Sequence, residues 1–185
     1  MLVLGIDPGT LHLGWGVVER EGNRLRHVAH GVIHMPAARP LSSRLLDISA
    51  GLAQVIEAQK PSVASVESLF FHKDAQSAAK LGHARGVVLL CVEQAGVALA
   101  EYAPARVKRT VVGHGRADKK QVALMVRAVL GLAKPPPSDA ADALALAITH
   151  LRLGSLISSL PETPSDSPRE RWLRLIQGGR RRRSG

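Results

Sequence analysis

The chain has a single cysteine, Cys91, among 185 residues. No internal disulfide can form, and a cysteine-based zinc site is excluded. Cys91 lies in the apolar run Val87-Val88-Leu89-Leu90-Cys91-Val92 and reads as a small core residue. Aromatic residues make up only 3 %, with two phenylalanines, the adjacent Phe70 and Phe71. No apolar run approaches the roughly 20 residues of a membrane span. The N-terminus has no basic region, long apolar stretch or small-residue cleavage site, so no signal peptide is expected and the cytoplasm follows. Acidic residues are also in deficit. Lys and Arg number 25 against 15 Asp and Glu, for a net charge of +10. Over residues 1–154 the count is 18 to 12, so the basic character belongs to the body as well as to the tail. Such a balance favours nucleic acid or another polyanion as partner.

The length fits one domain with a sizeable core. Residues 2–7, 13–20 and 25–34 read as three strands joined by turns short enough for an antiparallel meander. Residues 41–59 have apolar residues at helical spacing and end at Pro61. A strand follows at 62–67, then a helix over 74–95 that is apolar on more than one side. Residues 97–103 form the fifth strand, with the basic segment Arg106-Val107-Lys108-Arg109 in the loop after it. Helices are expected at 119–130 and from Ser138, a natural N-cap, to about Leu153. These elements constitute an α/β domain over 1–154, with a mixed five-stranded sheet flanked by helices. Beyond Gly154 the composition shifts to Ser, Pro, Glu and Thr, as in a disordered linker, and residues 155–185 end in the basic run Arg180 to Arg183. A short helix with a Ser167/Glu170 capping box and Trp172 is expected within it.

Chemistry concentrates on four acids. Asp7 ends the first strand in Gly5-Ile6-Asp7-Pro8-Gly9, and Glu67 ends the fourth in Val63-Ala64-Ser65-Val66-Glu67. Asp139 and Asp142 lie at i and i+3 at the start of the last helix, on one face. An acid at the end of a buried strand is costly without compensation. A hard divalent cation such as Mg²⁺ compensates several carboxylates at once and also binds phosphate. Each acid has a simpler rival reading. Asp7 could form a turn before Pro-Gly, and acids in the first turn of a helix are favoured by its dipole. Glu67 has little structural reason to be where it is. A basic protein with an acidic metal pocket suits an enzyme acting on a polyanion, most simply a nuclease.

The element order, with acids on strands one and four and on the last helix, resembles the ribonuclease H-like nuclease fold. The segments Gly5-Ile6-Asp7-Pro8-Gly9-Thr10, Glu67-Ser68-Leu69-Phe70, Ala78-Ala79-Lys80-Leu81-Gly82-His83-Ala84-Arg85-Gly86 and Tyr102-Ala103-Pro104-Ala105-Arg106-Val107-Lys108 resemble the RuvC family of Holliday-junction resolvases. So do Thr110-Val111-Val112-Gly113-His114-Gly115 and Ser138-Asp139-Ala140-Ala141-Asp142-Ala143-Leu144-Ala145. The resemblance runs in order over residues 1–153. It implies a homodimeric, Mg²⁺-dependent endonuclease that nicks opposing strands of a four-way DNA junction symmetrically, and a branch-migration motor as partner. Asp7, Glu67, Asp139 and Asp142 match the family's four acidic positions, expected to hold two Mg²⁺ ions, with Mn²⁺ able to substitute.

DNA contacts are expected from Phe70 and Phe71, since an aromatic beside a nuclease site can stack on an unpaired base. Phe70 matches the family's stacking aromatic. Lys73, Lys80 and Arg85 around the second helix suit phosphates, as do Arg106, Lys108 and Arg109. Arg116, Lys119 and Lys120 form a third basic group, and Lys108 and Lys119 match family positions near the scissile phosphate. A junction with two-fold symmetry calls for a two-fold dimer, and the second helix over 78–92 is the candidate interface. Three rivals are an actin-like ATPase suggested by the Asp7 loop, a non-catalytic junction-binding protein, and a ribonuclease H-like enzyme cutting RNA–DNA hybrids. The ATPase would need a second domain that this length does not supply.

Overall fold

The computed structural model describes residues 1–68 and 75–157. These residues form five strands and five helices: β1 Leu2–Asp7, β2 His12–Glu21, β3 Arg24–His34, α1 Leu41–Gln59, β4 Val63–Glu67, α2 Ala75–Gln94, β5 Ala98–Tyr102, α3 Pro104–Val112, α4 Lys119–Leu130 and α5 Ser138–Ile157. The strands form one sheet in the order β3-β2-β1-β4-β5. The β1–β2 and β2–β3 pairs are antiparallel, as the short turns predict, and β4 and β5 add in parallel beyond β1. The sheet is therefore mixed and five-stranded. The parallel pairs are joined through α1 and α2, because parallel neighbours need a crossover.

Period-two alternation sorts each strand's side chains between two apolar layers. Leu4 and Ile6 of β1, Val17 of β2 and Ala64 and Val66 of β4 pack with Ile48, Leu52, Val88 and Cys91 of α1 and α2. Val3 of β1 and Val18 of β2 pack instead with Val107, Val111, Val126, Leu144 and Ile148 of α3, α4 and α5. Cys91 is buried in the first layer, as its apolar neighbours suggest.

Close docking of α5 depends on small residues in the sheet. A methyl group on Gly5 would fall 1.8 Å from the carbonyl oxygen of Ala143, and one on Gly14 would fall 2.0 Å from that of Asp139. These two glycines let the α5 backbone lie directly on β1 and β2, which sets how far its acids stand from the strands.

Three sequence expectations need correction. Residues 106–109 are not a loop but part of α3. Pro104 opens that helix at its first turn, where a missing N–H costs nothing, and Val107 and Val111 bury one helical turn apart. Ser138 is not the N-cap of α5, because the Pro137 carbonyl already accepts from the Ala141 amide at 2.8 Å. Finally, α5 continues through Gly154 to Ile157, so the change in composition after Gly154 falls inside its last turn. The remaining tail, with Trp172 and Arg180 to Arg183, lies outside the described residues.

Candidate active site

Alternation along β1 places Val3, Gly5 and Asp7 on the α5 face. On β4 the same rule places Val63, Ser65 and Glu67 there, and the Ser65 hydroxyl donates to the Leu146 carbonyl of α5 at 3.1 Å. The parallel register pairs Ile6 with Val66, which leaves Asp7 and Glu67 side by side at the ends of adjacent strands. Two acids thus emerge on one face about 4.8 Å apart in strand spacing. Asp142 comes in from the first turns of α5, above the same strand ends.

A cavity of about 240 Å³ opens there, lined by Asp7, Glu67 and Asp142 together with Lys108 and Lys119. That volume leaves room for several water molecules. Pro104, Val107 and Val122 complete the apolar wall from α3 and α4. Asp139 does not line the cavity. It sits one turn earlier on α5, half-buried, and acts on Asp7 through its charge.

The electrostatics are strained in one direction. The Asp7 carboxyl is pushed up from 3.8 to about 7, first by burial, then by the like charges of Asp142 and Glu67; Lys119 partly offsets the rise. Lys119 Nζ donates to Asp142 Oδ2 at 3.0 Å. That bond, with the surrounding carboxylates, raises the Lys119 pKa above its ordinary value despite partial burial. Two ammoniums, Lys108 and Lys119, stand against three acids lining the cavity and a fourth beside it, so the site carries an excess of negative charge. All four donors are hard carboxylate oxygens, which suits a hard divalent cation. Among the described residues no three acid, histidine or cysteine groups already converge on a single point. The carboxylates ring a cavity rather than form a closed shell, and Lys119 is drawn onto one of them.

The basic residues separate by position. Lys108 and Lys119 line the cavity. Arg109 and Lys120 are exposed beside them on α3 and α4, and Lys80 is exposed on α2. Arg85 departs from the expected phosphate contact. Its side chain is only 9 % exposed, its Nη2 pairs with Glu101 Oε2 at 2.7 Å, and its Nε donates to the Glu67 carbonyl at 3.3 Å. The guanidinium is spent on holding β4 and β5 in place beneath Glu67. Phe70, Phe71 and Lys73 lie outside the described residues. Two features escaped the sequence reading. The first is the Asp118–Gln121 capping box that starts α4 at Lys119, which an S/T/D-x-x-E/Q scan would have found. The second is the buried bond between Tyr102 Oη and His150 Nδ1 at 2.9 Å, for which the sequence carries no local signal.

Acids at the ends of adjacent central strands, with another on a helix packed across them, define a ribonuclease H-like nuclease. Comparison with known proteins narrows the class. The family model for crossover junction endodeoxyribonuclease RuvC matches residues 3–150. The chain is 56 % identical over 169 residues to the crossover junction endodeoxyribonuclease RuvC of Sorangium cellulosum, covering 91 % of this chain and 94 % of that one. It is 55 % identical to the Bradyrhizobium diazoefficiens enzyme of the same name, over 80 % of this chain and 85 % of that one. The structure of T. thermophilus RuvC in complex with Holliday junction substrate superposes with a TM-score of 0.80 at 41 % identity, covering 85 % of this chain and 97 % of that one. The chain belongs to the RuvC family. Membership carries a dependence on a divalent metal, which the carboxylate donor set fits.

Proposed function

We propose that this chain resolves four-way DNA junctions by cutting opposing strands in a symmetric pair of nicks. The observation that carries the reading is the single cavity in which Asp7, Glu67 and Asp142 meet Lys108 and Lys119, in a chain of this family. Asp7, Glu67 and Asp142 would hold the cation, with Asp139 as a further ligand or as the group that orients the attacking water. Mg²⁺ is the natural occupant on donor hardness, with two ions per site and Mn²⁺ as substitute. Such cations supply Lewis acidity toward the phosphate and a nucleophilic water at neutral pH. The chain's own residues do the rest. Lys108 and Lys119 orient the phosphate and offset its charge, and the apolar wall of Val107 and Val122 limits access of bulk solvent. Lys80, Arg109 and Lys120 are exposed for contacts with the arms. Phe70 and Phe71 remain the candidates for stacking at the crossover.

Paired nicks require two sites, so the working species is a homodimer. Exposed Leu90 on α2, on the side away from buried Val88 and Cys91, supports that helix as the interface. A branch-migration motor is the expected further partner, and the cytoplasm the expected compartment. No helix among the described residues is long and apolar enough to cross a membrane.

The test is cleavage of a synthetic mobile junction with Mg²⁺ and with EDTA, beside linear duplex, an RNA–DNA hybrid and Asp7→Asn. Paired nicks that need metal, junction and Asp7 support the reading. Tight binding without nicks under any metal would assign the chain to non-catalytic junction binding. Equal cutting of the hybrid would discard the junction preference.

A further inference from the structure

A second basic cleft lies at the far end of α4 from the active site. It has a volume of about 580 Å³ and is lined by Arg20, Asn23, Arg24, Arg152, Leu25 and the last residues of α4 to Gly131. Among the described residues no acid lines it. The acids nearest in sequence, Glu19 and Glu21, are both engaged by Arg26, whose Nε meets Glu21 Oε1 at 2.9 Å and whose Nη2 meets Glu19. Strand alternation puts those two acids on the opposite face from Arg20, while the register sets Arg24 directly across from Glu21, whose carboxylate is bound by Arg26. The two carboxylates exceed Arg26 by one charge, and the three arginines of the cleft outweigh that remainder.

Two of its three guanidiniums are pre-positioned. Arg20 Nη2 donates to the Leu151 carbonyl, and Arg152 Nη1 donates to the Thr110 carbonyl at 2.7 Å. A guanidinium has five N–H donors, so one carbonyl bond fixes its direction and leaves the others free for a further acceptor. Carbonyls carry no net charge, so these contacts orient the arginines without cancelling them. Arg24 is exposed at the β2–β3 turn and makes no ion pair among the described residues. Three arginines and an amide in one cleft lining, with no carboxylate among the described lining residues, are a donor set that matches the oxygens of a phosphate.

We propose that this cleft is a second anion site that takes phosphate groups, separate from the catalytic cavity. The α4 helix connects the two, with Lys119 at its start in one and Gly131 just past its end in the other. Its 12 residues span about 18 Å at 1.5 Å per residue. That is about five nucleotide steps along a duplex strand at 3.4 Å each. A DNA backbone could supply the phosphate, and so could a small phosphorylated ligand; both present the same oxygens.

The test uses the full chain, the variants Arg24→Gln and Arg24→Gln/Arg152→Gln, and Asp7→Asn as a control at the other site. Inorganic phosphate is titrated at constant ionic strength, following the melting temperature, and binding of a linear duplex is measured in EDTA across salt concentration. The expected result is a phosphate-dependent rise in melting temperature that Asp7→Asn keeps and the double variant loses. If the backbone is the source, the double variant also lowers the slope of log affinity against log salt by about two, at about 0.9 per phosphate contact. Loss of the phosphate effect with an unchanged slope assigns the cleft to a small phosphorylated ligand. A lowered slope without any effect of free phosphate assigns it to the backbone alone. A double variant that matches the parent in both measurements overturns the site. A response to a polyglutamate peptide but not to phosphate also overturns it, and assigns the cleft to an acidic protein partner. Neither readout involves cleavage, so failure here is distinct from failure of the nuclease reading.

Discussion

Replacing Asp7 with Asn should abolish cleavage and yet make the metal-free protein more stable. The buried Asp7 carboxyl titrates at about 7 rather than 3.8 because it is desolvated and faces Asp142 and Glu67. A raised acid binds its proton more tightly in the folded state, so the folded form holds more protons than the unfolded form between the two values. Stability then falls as pH rises through that window. The shift is about three units, worth about 4 kcal/mol at 1.36 kcal/mol per unit. That cost is absent below pH 4, grows toward pH 7 and is complete above it. Asparagine has nearly the same shape and no charge, so it avoids the cost. Urea unfolding in EDTA at intervals from pH 5 to pH 8.5 would measure it. His27, His30 and His150, whose pKa values burial lowers, add a rise with pH common to both proteins, so the gap between them is the measure; Asp7→Asn should gain on the wild type across the range and be more stable by about 2–4 kcal/mol at pH 8. Excess Mg²⁺ should close the gap by stabilising the wild type far more than the variant, since a ligand that binds only the folded state adds stability that grows with the logarithm of its concentration over Kd. A gap between variant and wild type that does not widen from pH 5 to pH 8 in EDTA, or a variant no more stable at pH 8, would refute the reasoning.

Other consequences follow from the geometry. Lys119→Gln removes the ammonium on Asp142 and should lower the single-turnover cleavage rate by about 10²–10³-fold, the usual loss for one electrostatic stabiliser, while junction affinity in EDTA changes much less. Gly5→Ala puts a methyl group 1.8 Å from a backbone oxygen of α5; urea unfolding should show a loss at or above the usual 1–3 kcal/mol of overpacking, roughly, with cleavage falling as α5 and Asp142 are displaced. Tyr102→Phe strands the buried His150 nitrogen and should cost about 1–3 kcal/mol in the same assay. Arg85→Gln should lower stability and cleavage through the loss of its grip on Glu101 and the Glu67 carbonyl. An unchanged stability with a shallower salt dependence of junction binding would restore Arg85 as a phosphate contact.

Much of this protein is legible in short segments. The three antiparallel strands, the crossover helices and the positions of Asp7 and Glu67 at strand ends follow from apolar periodicity and turn residues, which are local properties of the chain. Parity along the strand even predicts that Asp7 and Glu67 share faces with Gly5 and Ser65. Local reading also misleads where one residue type has two uses. Pro104 follows the end of β5 at Tyr102 and opens α3, so a residue type that marks loops here marks a helix start.

What tertiary structure alone decided are the relations between segments far apart in the chain, from Arg85 and Glu101 to Asp7 and Asp142. Arg85 has the composition of a DNA contact, but the approach of α2 to β4 and β5 buries it against Glu101. Asp139 and Asp142 are equivalent in sequence, yet only Asp142 reaches the cavity and the Lys119 ammonium. The high pKa of Asp7 exists only because α5 lies close enough, over Gly5 and Gly14, to exclude water and to bring a second carboxylate near. Periodicity sets which way a side chain points along its own element. The distance to a charge on another element depends on how the elements pack, and burial and electrostatics both depend on that distance.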